Sequence, residues 1–143
     1  MLDQYFDGWE IRDGFREEFI SLWPGWLGPE QYHKLDEVTE SEWQRFNDLL
    51  TLIAQRYDVL VADLELRELK NVHGGSEIRQ SYEAAMNKNA SQFLRLVIPE
   101  LGCVLAEEWD YTYILWHKDG AAVAELAPLV TEAGLHHFGR SAA

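Results

Sequence analysis

The residues best equipped for chemistry gather in the last third of the chain. His136 and His137 are adjacent, His117 lies one strand length away in a neighbouring element, and Cys103, Glu107, Glu108 and Asp110 are close by in sequence. Imidazole, thiolate and carboxylate are the groups that hold zinc and related ions. A metal-dependent enzyme or small-ligand site would draw on His117, one of His136 and His137, and Glu107 or Asp110. The spacing argues against it. There is no i, i+4 histidine pair of the helical zinc type and no close cysteine pair. Adjacent residues on a strand face opposite ways, so at most one of His136 and His137 can join His117. Ordinary hydrogen bonding is the expectation for these histidines, with no cofactor.

Nucleophilic chemistry has less behind it. Cys103 is the sole cysteine and sits in an apolar run, where a thiol behaves as a small buried hydrophobe. The chain contains no G-x-S-x-G, and its glycines form neither a G-x-G-x-x-G nor a P-loop. No catalytic residue is assigned. The carboxylates at Glu107, Glu108 and Asp110 read differently. With Trp109 as an aromatic anchor, they would make an acidic knuckle that meets lysines or arginines of a partner. Trp26, in the turn-rich loop Trp23-Pro24-Gly25-Trp26-Leu27-Gly28-Pro29, is either a core anchor or a second exposed contact for that partner.

The elements that must position these residues follow from periodicity. Tyr111 to Trp116 is rich in aromatic and β-branched residues. Tyr111, Tyr113, Leu115 and His117 would share one face, and Thr112, Ile114 and Trp116 the other, so the strand is covered on both sides or central in its sheet. Strands at 103–107 and 111–117, joined through Glu107-Glu108-Trp109-Asp110, form an expected hairpin. Asp119 is the expected N-cap of a helix at 120–133 with Val123, Leu126, Ala127, Val130 and Ala133 on its apolar face. Pro128 should kink or split that helix, and Gly134 occupies the left-handed position after its end. A last strand is placed at 135–138.

Upstream, residues 1–11 form an aromatic arm that packs on the domain. A helix is expected at 13–23 from Phe15, Phe19, Leu22 and Trp23. The capping box Thr39-Glu40-Ser41-Glu42 starts a helix at 40–57. Residues 59–71 alternate partly as a strand, but their Glu, Arg, Leu and Lys composition favours helix. His73-Gly74-Gly75 is a breaker. A long helix at 77–98 then runs to Pro99, with Asn89 as the one amide on its apolar stripe. The fold expected is α+β in a single domain, residues 1–143: three or four helices followed by a small antiparallel sheet.

The chain carries a net charge of −13, and the balance is −8 over residues 1–48, zero over 49–96 and −5 over 97–143. Such a field repels phosphate backbones, so nucleic acid is not an expected partner. It attracts basic proteins and speeds encounter with them. No apolar run suits a membrane span, and the opening residues lack the basic region and apolar core of a signal peptide, so the cytoplasm is the expected location. The first functional expectation is therefore a small acidic, non-catalytic interaction domain, of inhibitor or immunity type, that binds a basic protein through Glu107, Glu108, Trp109, Asp110 and Trp26. The alternatives are the histidine-centred metal site and a structural or assembly subunit packing through the stripes on 40–57 and 77–98.

Overall fold

The computed structural model describes residues 1–72 and 75–140. His73 and Gly74 of the expected breaker lie outside them. The chain is α+β. A short hairpin, β1 (Phe6–Asp7) and β2 (Glu10–Ile11), leads into β3 (Arg16–Ser21) and then α1 (Glu40–Arg56). Next come β4 (Leu60–Asp63), β5 (Glu68–Asn71), α2 (Tyr82–Asn87), β6 (Arg95–Ile98), β7 (Cys103–Glu108), β8 (Thr112–His117), α3 (Ala121–Glu132) and β9 (His136–Gly139). Among the described residues, seven strands make one antiparallel sheet in the order β5-β4-β6-β7-β8-β3-β9.

Three expected helices are corrected. Residues 13–23 contain strand β3, because Glu18, Phe19 and Ile20 pair with β8 on one side and β9 on the other. Phe19 and Ile20 point to opposite faces and both are buried, which mimics helical spacing in the sequence. Residues 59–71 form the β4–β5 hairpin. Asp63 Oδ1 accepts the Leu66 N–H at 2.9 Å and Arg67 turns the chain with φ of 55°. Pairing of β4 with β6 outweighs the helix propensity of that segment. Residues 77–98 break into α2, a 3-10 turn at Ala90–Gln92 and strand β6. Ser81 caps α2 by accepting the Ala84 N–H, and Asn89 caps the 3-10 turn, so the amide on the expected stripe bonds locally. The expected order of helices followed by a small sheet is also overturned: strands come first, and the large sheet spans the chain.

The other elements match their patterns. Thr39 Oγ1 accepts the Glu42 N–H at 3.1 Å and Glu42 accepts the Thr39 N–H at 3.0 Å, which closes the capping box of α1. Its stripe of Trp43, Phe46, Leu49, Leu50 and Ile53 packs with Leu96, Ile98, Leu105 and Leu115 of the sheet. Leu126, Leu129 and Val130 of α3 join the same core. Asp119 accepts the Ala121 N–H, although Gly120 takes the N-cap position itself. Pro128 does not split α3. The Ala124 carbonyl it leaves without a helical partner lies on the exposed side. Gly134 adopts φ of 82° just past the helix end. One face of the sheet is thus covered by α1 and α3. On the other, the N-terminal arm places Leu2, Tyr5 and Phe6 against Val97, Val104, Ala62 and Leu64. The part of that second face formed by β8, β3 and β9 lies beside a cleft.

Candidate functional site

The cleft encloses about 500 Å³. Phe19 of β3, Ile114 of β8 and Phe138 of β9 come from the second face of the sheet, where Phe19 is directly paired with both of the others. The loop after β3 supplies Trp23 and Trp26, the 3-10 segment Pro29–Glu37 supplies Tyr32 and Leu35, and the β7–β8 hairpin supplies Glu108, Trp109 and Asp110. Trp26 stands edge-on to Phe19 at 4.5 Å and to Phe138 at 5.0 Å between ring centroids. It packs there and still leaves 46% of its surface open, so it serves as anchor and as exposed wall. Trp109 and Tyr32 are each 56% exposed. Large aromatic groups rarely gather in the open without a reason to be reached.

The hairpin tip is held in an unusual backbone shape. Glu108 pairs with Thr112, leaving a three-residue connection, shorter than the four residues expected, and both Asp110 and Tyr111 have positive φ, 60° and 56°. Left-handed backbone costs an L-residue about 1–2 kcal/mol; aspartate tolerates it better than tyrosine. Surrounding contacts hold the tip in place. Tyr111 meets Trp23 edge-on, Trp109 meets Phe93 edge-on at 4.6 Å, and Thr112 Oγ1 donates to the Asp110 carbonyl at 3.2 Å.

The three acids expected to act together are separated by strand alternation. Glu108 and Asp110 border the aromatic cleft. Burial raises the Glu108 carboxyl above its ordinary range, opposed by the Arg95 charge and the Trp109 N–H, and helped by the negative charge of Glu17. Glu107 turns to the helical face instead. Its carboxylate lies 2.5 Å from Lys88 Nζ and accepts the Leu94 N–H at 2.8 Å. It ties the segment after α2 to the sheet. The cleft residues Phe19, Tyr32, Leu35, Ile114 and Phe138 escaped sequence reasoning. The one signal for them was the apolar second face read on the strand at 111–117.

The histidines are not brought together. His117 and His137 share the helical face, but His117 pairs with Arg16 and His137 with Ile20, four residues further along β3. That is about 13 Å along the strand. His117 is buried, its Nδ1 accepts the Gly120 N–H at 3.2 Å, and burial first, then Arg16, lowers its pKa against the pull of Glu18 and Asp119. His137 Nδ1 lies 2.6 Å from Glu18 Oε2, and His136 is exposed. Cys103 is buried, and its thiol is pushed up to about 12. Among the described residues no group of three or more histidine, cysteine, aspartate or glutamate side chains is placed to hold a metal ion. No described helix is long and apolar enough to cross a membrane.

No family model matches this chain, and no curated protein or solved structure matches it either.

Proposed function

We propose that the chain is a non-catalytic recognition domain that binds a basic protein through the aromatic cleft and the β7–β8 hairpin tip, in the manner of an inhibitor or immunity-type protein. The observation that carries this reading is the composition of one cleft: exposed Trp26 and Trp109 beside Glu108 and Asp110. Aromatic groups dominate interface energetics when a partner excludes water from them. The carboxylates, within a chain of net charge −13, steer a basic surface toward them. Glu107, engaged with Lys88 inside the fold, plays a structural part and leaves the contact to Glu108, Trp109, Asp110 and Trp26.

Affinity capture from the native lysate, at low and at high salt, tests the reading when run beside the double variant E108Q/D110N. A basic protein retained at low salt by the wild-type chain, and lost both at high salt and by the variant, supports it. Retention that the variant leaves unchanged would move the contact away from this cleft.

A further inference from the structure

We infer that the group seated in the cleft is an arginine side chain of the partner; this rests on the proposed basic-protein reading and names the chemistry of its central contact. The sheet face beside the cleft already uses that chemistry within the molecule. Arg140 ion-pairs with Glu17 through Nε and Nη2, and its guanidinium carbon lies 5.7 Å from the centre of the Phe19 ring. A carboxylate on β3 and an aromatic ring two residues on thus hold a flat cation between them.

Glu108 offers a matching carboxylate on the same face. It lies next to Trp109, near enough to Glu17 for the two charges to act on each other, and has no ion-pair partner within 4 Å among the described residues. Arg95 acts on Glu108 through its charge, but its guanidinium is taken up over the Trp9 ring at 5.6 Å. The cleft therefore presents aromatic walls and a carboxylate that accepts the Trp109 N–H and, among the described residues, has no cation paired with it. Guanidinium fits that combination better than ammonium: it is planar, weakly hydrated, stacks on aromatic faces and binds a carboxylate through two nitrogens. A lysine would keep more of its water and make a single point contact. A second copy of the same chain is a poor occupant, since both surfaces would carry the same sign of charge.

The probes are nona-arginine, nona-lysine and a neutral Gly/Ser peptide of equal length, titrated into the full chain at fixed salt. Affinity is read by calorimetry, and the site by the NMR signals of the six tryptophan indoles. The expected result is nona-arginine binding about tenfold tighter than nona-lysine at equal charge. Shifts should be confined to Trp26, Trp109 and their neighbours, and E108Q should remove the difference between the two peptides. Equal affinity for the two cations, with shifts still at Trp26 and Trp109, would overturn the arginine assignment and leave the basic-partner reading standing. Shifts elsewhere, no binding of either cation, or equal binding of the neutral peptide would overturn both. The wild-type shifts locate the contact without relying on any variant's stability.

Discussion

Replacing Lys88 with methionine should destabilise the protein by about 3 kcal/mol. Lys88 Nζ sits 2.5 Å from Glu107, and the two side chains are only 9% and 11% exposed. Methionine keeps the unbranched stem against Phe93 but leaves the carboxylate without its cation. Stranding one member of a buried pair costs about 3–5 kcal/mol. The Leu94 N–H at 2.8 Å and the Gln80 amide remain as donors to Glu107, which places the value at the low end. For a chain of this size that is a fall of roughly 10 °C in Tm. Urea unfolding followed by tryptophan fluorescence measures the loss directly. The double variant K88M/E107Q removes the stranded charge and keeps an acceptor for the Leu94 N–H. It should recover about 1–2 kcal/mol relative to K88M. A loss below about 1 kcal/mol for K88M, or a double variant no more stable than the single one, would refute the idea that this pair ties the segment after α2 to the sheet.

Three further outcomes follow from buried or constrained groups. The lowered pKa of His117 means the unfolded chain takes up its proton first as pH falls, so stability is full above the ordinary value of 6.5 and declines below it. The urea midpoint should therefore drop from about pH 7.5 to about pH 5.5, and the drop should be smaller in H117N. The Cys103 thiol, pushed up to about 12 by burial, should react with a thiol reagent only as fast as the protein opens; complete labelling of the folded protein within seconds would contradict that. Gly134→Ala should cost about 1–2 kcal/mol in a thermal melt, because φ is 82° and the added carbon would lie 3.3 Å from Arg45 Cδ.

Legibility in the sequence depended on whether local preference and tertiary pairing agreed. Helix α1 was readable because its capping box and apolar stripe serve the same end. The β7–β8 hairpin was readable because aromatic and β-branched residues suit a covered sheet, and β9 because it follows the helix end at Gly134. Strand β3 was not, since a strand covered on both faces loses its alternation: Phe19 and Ile20 are both buried. Segment 77–98 misled because Ile78, Tyr82, Phe93 and Leu94 recur as they would on one helix. The polar residues between them, Ser81, Lys88 and Asn89, instead act as caps and as a buried cation. Buried Asn47 illustrates what only the fold reveals: its amide donates to the Gln80 carbonyl and accepts the Gln80 N–H, pinning that segment to α1. Of the residues lining the cleft, Glu108, Trp109 and Asp110 were legible as an acidic and aromatic connection between strands, and Trp26 as a loop tryptophan either anchored in the core or exposed. Their gathering into one cleft was not, because Phe19 and Phe138 arrive there from strands far apart in the chain.

The position of β3 between β8 and β9 has a consequence for biosynthesis. Ile20 must pair with Tyr113 and His137, residues made long after it. At ordinary elongation rates β3 waits on the order of ten seconds for its first partner to be made. During that interval the apolar residues Phe19, Ile20 and Leu22 lack their strand partners, and they follow the acidic pair Glu17-Glu18 in the sequence. Those two carboxylates discourage strand-to-strand association between neighbouring nascent chains. These carboxylates, which in the folded sheet end on opposite faces with Glu17 on Arg140 and Glu18 on His137, thus first guard the strand until its partners emerge.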